Sequence, residues 1–287
     1  MVKGYNLKMT KQNKEYINGQ ICSGINVYFK AWDSSPAFAQ LKGNNYEGEI
    51  AYIMATVDDY GGSTSLLLNS ITAVDGFTED MFLPTVYNTD AYWDGLKKLA
   101  KQHLTERGYE LADKLLFSAG EAVESRFKLE FAASSHHDNC KGGLLAHTYK
   151  VCRILTTLFV QYKSLFDEDH KDLVFIAGLM HDIGKLREYK LGIYQKPAYA
   201  NHLLYSTEYL IDFKDIIVTT YSEDWYNQLL GVVLEHHGEF GMACQTIDAY
   251  VLHMADLLES RMTLVQQSVA EIERGNSIKV DDKYLVY

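Results

Sequence analysis

Residues 178–189 read GLMHDIGKLREY. An apolar run leads straight into a histidine, an aspartate and a lysine. A buried charge is costly unless it is paired or coordinates a metal, so this stretch predicts that other parts of the chain supply the partner or the metal. Upstream lies DLVFIAG, and the apolar spacing of three and four predicts a helix over 172–186. His181 and Asp182 sit about 100° apart around such a helix, so they converge only at its end or with other ligands reaching in. Gly178 and Gly184 leave room there for close packing.

Working outward, the same periodicity predicts helices over 94–104, 111–123, 144–162, 202–213, 224–237 and 247–273. Five of the seven helices carry a histidine or aspartate on or beside an apolar stripe. These are His147, the His181–Asp182 pair, His202, the His236–His237 pair and Asp256. A lone histidine on an apolar helix is ordinarily a packed core residue, and Asp256 has Arg261 close by in sequence as a partner. The constellation is harder to produce by packing alone. Imidazole nitrogen and carboxylate oxygen together suit Mn²⁺, Fe²⁺, Co²⁺, Ni²⁺ or Zn²⁺, and a metal site is expected.

The first ninety residues read differently. INVYFKAW (25–32) alternates with period two, placing Ile25, Val27, Phe29 and Ala31 on one face and Asn26, Tyr28, Lys30 and Trp32 on the other. Residues 2–9, 16–21, 49–57 and 63–74 are also rich in strand formers. Cys22-Ser23-Gly24 and Asp59-Tyr60-Gly61-Gly62 read as hairpin turns. The expected fold class is α+β: a small N-terminal antiparallel β-barrel over 1–88, then an all-α domain over 89–287.

The order His147, His181-Asp182, Asp256 resembles the H…HD…D pattern of the HD-domain metal-dependent phosphohydrolases. SSHHDNCKGGLLAHTYKV (134–151), AGLMHDIGKLREY (177–189), LEHHGEFG (234–241) and LHMADLLESRM (252–262) look like the corresponding stretches of the YhaM-type 3′–5′ exoribonucleases. Those proteins carry an oligonucleotide-binding (OB) barrel before the HD domain, where the β module falls here. The resemblance implies a phosphodiesterase that trims single-stranded RNA, or DNA, from its 3′ end to nucleoside monophosphates. It implies two divalent metals per chain, manganese preferred. His147, His181, Asp182 and Asp256 would hold one, and Asp182 would bridge to a second held by His202, His236 and His237. Catalytic roles fall to Asp182 and to Lys185, which would contact a phosphate oxygen; a solvated helix-end lysine is its plainer reading. His136 and His137 are candidates to reach the substrate. Tyr28, Lys30 and Trp32 are candidates to stack and pair with a strand, with packing as their alternative role.

Some features pull the other way. The expected turn reads DYGG where the family carries an arginine. Residues 1–90 hold six Lys and no Arg against ten Asp plus Glu, and the net charge of the chain is −11, which counts against a broad basic surface. An HD phosphohydrolase acting on nucleotides or cyclic nucleotides is therefore a second reading, and a non-catalytic nucleic-acid-binding module with a structural metal a third. There is no GxSxG, P-loop or GxGxxG, and no HHExxDGxGYP run follows His236. No stretch reaches the roughly 20 apolar residues of a membrane span. The start, MVKGYNLKMTKQNK, lacks the apolar core of a secretory leader. Four scattered cysteines form no CxxC pair, and a cytoplasmic protein with reduced thiols is expected. A homo-oligomer is compatible with all of this.

Overall fold

A computed structural model describes the chain except residues 61–62, 84–86, 135–137, 196–198, 271–273 and 281–282. It divides into two compact units, Met1–Val86 and Tyr87–Tyr287.

The first unit is a five-stranded sheet. Strands β1 (Val2–Met9), β2 (Glu15–Cys22) and β3 (Asn26–Trp32) form a meander, helix α1 (Pro36–Gly43) follows, and β4 (Ala51–Tyr60) pairs with β5 (Ser63–Ala73). The order across the sheet is β1-β2-β3-β5-β4. Two points differ from the sequence expectation. The β3–β5 pair is parallel, and α1 with β4 supplies the crossover connection that such a pair needs. The sheet is not closed: among the described residues no strand pairing joins β1 to β4, although the start of β1 meets the lead into β4 through bonds such as Val2 N–H to Glu49 O and Gly48 N–H to Val2 O, both 2.9 Å. The turn at Cys22–Gly24 forms as expected, with Gly24 at φ 78°. In the second expected turn, Gly61 and Gly62 lie outside the described residues. The period-two face of β3 holds from Val27 onward. Phe29 and Ala31 are buried with Ile17, Leu68 and Ile71, whereas Ile25 is exposed in the turn before the strand. Helix α1 starts where Pro36 fixes φ and the Ser35 hydroxyl accepts from Phe38 N–H.

The second unit is mainly helical. Helices α2 (Thr89–His103), α3 (Glu106–Ala112) and α4 (Glu121–Leu129) lead to the long α5 (Gly143–Gln161). Then come α6 (Glu168–Met180), the one-turn α7 (Lys185–Glu188) and a two-stranded hairpin of β6 (Tyr189–Lys190) and β7 (Ile193–Tyr194). Helices α8 (His202–Asp212), α9 (Lys214–Thr220), α10 (Glu223–Glu235) and α11 (Ile247–Val269) follow, and a second hairpin, β8 (Ser277–Val280) with β9 (Lys283–Val286), closes the chain. The two hairpins correct the all-α expectation. The single helix expected over 111–123 is broken. A π turn over Asp113–Phe117 ends at Ser118, and Gly120, at φ 121°, starts α4 afresh.

Helix α6 is buried on every side from Asp172 to Met180, which suits a central element rather than an amphipathic surface helix. It packs against α5, α10 and α11. The Asp167 side chain caps its start through His170 N–H at 2.9 Å. Near that end the buried carboxylate of Asp172 accepts from Thr105 N–H at 2.9 Å and Tyr221 O–H at 2.6 Å. These bonds tie α3 and α9 to the central helix.

Candidate metal centre

Helix α6 stops at Met180, earlier than its apolar pattern predicts. His181 caps it and 181–184 form a tight turn into α7. The turn solves the 100° problem, because neighbouring residues in it aim their side chains at one point. Small residues permit it. A Cβ on Gly184 would stand 2.2 Å from His202 O and 2.5 Å from Ser206 N. Only glycine lets the turn press against the start of α8. The Ser206 hydroxyl completes the joint, accepting from Gly184 N–H and donating to His181 O.

Asp182 lies at the centre, with 2% of its side chain exposed. Its Oδ2 is 3.3 Å from His181 Nε2, 3.6 Å from His147 Nε2 and 2.6 Å from Lys185 Nζ. Its Oδ1 faces His202 Nε2 at 3.6 Å and His236 Nε2 at 4.0 Å. His147 comes from the first turns of α5, and its Nε2 is 3.1 Å from Asp256 Oδ1 on α11. His202 opens α8 and His236 and His237 follow α10; the Nε2 atoms of His202 and His237 are 3.1 Å apart. The structure thus brings all seven predicted ligands together. Two groups of donor atoms lie within ligand spacing of one another: His147 with His181 and Asp182, and His202 with His236 and His237.

Nδ1 is occupied in four of the five rings. His181 Nδ1 is 2.8 Å from Gly178 O, and His236 Nδ1 is 2.7 Å from Val233 O. His202 Nδ1 is 2.7 Å from Glu188 Oε2, and His147 Nδ1 bonds Glu259 Oε2. With Nδ1–H donating outward, His181, His202 and His236 turn Nε2 into the cluster. The Nε2 atoms of His147 and His181 stand 3.2 Å apart and those of His202 and His237 3.1 Å. Asp182 Oδ1 and His236 Nε2 are buried with no hydrogen-bond partner. Buried acceptors left facing each other are what a cation would satisfy, so the donor set fits metal ions.

The electrostatics agree. Burial, with His181 close by, holds the His236 imidazole well below its usual range; burial and His202 lower that of His237. Both are therefore neutral, as ligands must be. Burial works to raise Asp182, but Lys185 and His181 hold its carboxyl well below the usual range. Asp256 is held down by His147 against the same burial effect. Burial would depress His147, but Glu259 and Asp256 outweigh it and raise that imidazole to about 10. Without a cation, a proton takes the metal's place there. A third group, Asp138 with His147 and Glu259, already has its cation: Lys150 Nζ lies 2.8 Å from Asp138 and 2.6 Å from Glu259.

Lys185 is no solvated helix-end lysine. It is 8% exposed, bonded to Asp182, and lines a cavity of about 450 Å³ over the cluster. His136 and His137 lie outside the described residues. In the first unit Tyr28 is exposed, Lys30 pairs with Asp58 at 3.8 Å and Trp32 lies against Tyr16 with ring centroids 5.2 Å apart. Sequence reasoning passed over Glu188 and Glu259, although Glu188 stands in the opening stretch and Glu259 follows Asp256 by three residues on α11. It also passed over His253, whose Nδ1 is 2.8 Å from His236 O and which lines the cavity.

Residues 144–261 match the HD domain family, whose members are metal-dependent. The chain is similar to the 3′-5′ exoribonuclease YhaM of Listeria monocytogenes, 22% identical over 240 residues, covering 79% of this chain and 73% of that one. It is 21% identical over 262 residues to that of Halalkalibacterium halodurans and 23% over 265 residues to that of Shouchella clausii, in each case covering 86% of this chain and 77% of the relative. No solved structure matches the chain.

Proposed function

We propose that this chain, with its HD domain, is a metal-dependent phosphodiesterase that removes nucleotides from the 3′ end of single-stranded RNA. The observation that carries the reading is Asp182, which turns Oδ2 toward His147 and His181 and leaves Oδ1 unpartnered toward His202 and His236. His147, His181, Asp182 and Asp256 would hold one divalent cation, and Asp182, His202, His236 and His237 a second. Mn²⁺ is the first choice, and the same donors also suit Fe²⁺, Co²⁺, Ni²⁺ and Zn²⁺. Bound there, the cations supply Lewis-acid stabilisation of charge developing on a phosphoryl group.

The chain's own residues do the rest. Lys185 holds Asp182 and puts an ammonium at the cavity wall, where it can meet a phosphate oxygen. Glu259 and Glu188 keep His147 and His202 in one tautomer and orientation. The names of the three relatives support RNA as substrate and the 3′ end as the point of attack. The first unit, with its strand order and a helix between β3 and β4, has an OB-like arrangement. Tyr28, Lys30 and Trp32 share one face of β3 and would guide the strand by stacking and charge.

The acidic balance of residues 1–90 favours a second reading, hydrolysis of free nucleotides. The deciding experiment incubates the purified chain with Mn²⁺ and single-stranded RNA labelled at its 5′ end, with free and cyclic nucleotides in parallel. A ladder shortening from the 3′ end is expected. Cleavage of the small molecules alone would replace the exonuclease reading with the nucleotide one.

A further inference from the structure

The cavity over the metal cluster has a wall that the seven ligands and Lys185 do not explain. Phe240, Arg261, Tyr189 and Tyr194 line it. Phe240 is 62% exposed. It sits on the tight turn that follows His236 and His237, closed by Phe240 N–H to His237 O and Gly241 N–H to Gly238 O, both 3.0 Å. Gly238 has φ 53°, and a Cβ there would stand 2.6 Å from the His253 ring. The turn is thus pressed against α11, which places the Phe240 backbone beside the ligands. The Arg261 guanidinium lies 6.0 Å from the Phe240 ring centroid, in cation–π range.

Two further aromatics of the same lining are held in place. Tyr189 and Tyr194 cross the small hairpin with ring centroids 4.7 Å apart and hydroxyls 3.2 Å apart. Leu191 and Gly192, both at positive φ, make its turn. The buried Glu130 carboxylate accepts from Gly192 N–H at 2.7 Å and Leu191 N–H at 3.1 Å. This clamp holds a leucine in a conformation it rarely adopts. A cavity of about 450 Å³ is the size of a site for one small ligand.

We infer that this wall is a base-binding subsite: Phe240, steadied by Arg261, offers the stacking face for one nucleobase, with Tyr194 lining the same cavity. The inference rests on the phosphodiester reading of the metal centre and adds to it. The enzyme would grip the terminal nucleoside itself and not only its phosphate. Stacking tolerates every base, so recognition would be of a base, not of a sequence.

The test uses the full chain loaded with Mn²⁺ and two single-stranded RNAs, one ordinary and one ending in an abasic 3′ residue. The wild type should favour the ordinary end by about tenfold or more in kcat/KM, the range of one base–aromatic stack. Phe240→Ala and the bulk-preserving Phe240→Leu should both shrink that preference to under about threefold, with metal content kept. In parallel, calorimetry should show adenosine monophosphate binding the wild type at least about tenfold more tightly than ribose 5-phosphate, and Phe240→Leu should erase the difference. Equal treatment of the two strands by the wild type, or a preference that survives Phe240→Ala, overturns the subsite. A chain that cleaves neither strand with any metal overturns the phosphodiesterase reading instead, and the calorimetric comparison then decides the subsite alone.

Discussion

Asp182 offers one carboxylate oxygen to each half of the imidazole cluster, and this geometry makes single substitutions informative. Asp182→Ala should remove bound metal and cut hydrolysis by at least about a hundredfold, read by metal analysis beside an end-label assay. Lys185→Ala should behave differently. Without metal it removes the ammonium bonded to a buried carboxylate, which costs on the order of 3 kcal/mol, so the chelated variant should melt well below chelated wild type. With Mn²⁺ the cations neutralise Asp182, the melting gap should narrow, and turnover should stay about a hundredfold low. A variant that turns over normally would remove Lys185 from the chemistry. Glu259→Gln acts through His147, which it orients by Nδ1. It should weaken metal affinity by roughly ten- to a hundredfold, measured by competition with a chelator of known affinity. The ligands could be found in the sequence because histidine and aspartate on apolar helices are conspicuous. Glu188 and Glu259 could not, since a glutamate on a helix is ordinary until its neighbour is known.

Among the elements, the early end of α6 does most to build the centre. The apolar pattern runs on through Leu186, so sequence spacing alone carries the helix six residues past Met180. The contact of Gly184 with the start of α8 ends it instead. Gly184→Ala should therefore push the 181–184 turn off α8, lowering both stability, by about 2 kcal/mol or more, and metal retention; an Ala variant with wild-type melting and metal content would refute this. The joint between α8 and the π turn gives a pH prediction. Tyr209 O–H donates to Leu115 O at 2.9 Å, and burial, then Asp212, raises the phenol to about 12. An unfolded tyrosine ionises near pH 10. The stability that this group contributes is therefore fully present below about pH 10 and is lost as pH rises from there through 12. Tyr209→Phe should lose about 1 kcal/mol at neutral pH and show a shallower alkaline fall, seen in urea melts from pH 8 to 11.

At the scale of the whole molecule, metal and fold are linked. A cation that binds the folded cluster and not the unfolded chain stabilises by mass action, about 2.7 kcal/mol at a hundred times its Kd. Chelation should lower Tm by roughly 5–10 °C, and Mn²⁺ should restore Tm and hydrolysis together. A chain indifferent to chelator in both assays would sink the metal centre. The first unit is tested by paired substitutions on β3. Tyr28→Ala with Trp32→Ala should raise KM several-fold on a long single strand and little on a dinucleotide. Equal effects on both substrates would leave the sheet face without a role in strand binding.

The two-part architecture, the five strands, most of the helices and the seven candidate ligands are legible in the residues alone. These are readable because periodicity and side-chain chemistry are local properties that every residue carries into the fold. The rest depends on packing in three dimensions. That packing made the β3–β5 pair parallel and left the sheet open, because strand pairing is a choice among distant partners. Packing broke 111–123 at Gly120 and ended α6 at Met180, because contacts with neighbours override helical propensity. It also set Glu259, Glu188, Phe240 and Tyr194 around the cluster, since which glutamate holds a histidine, and which aromatic faces a cavity, depends on helices that meet only in three dimensions.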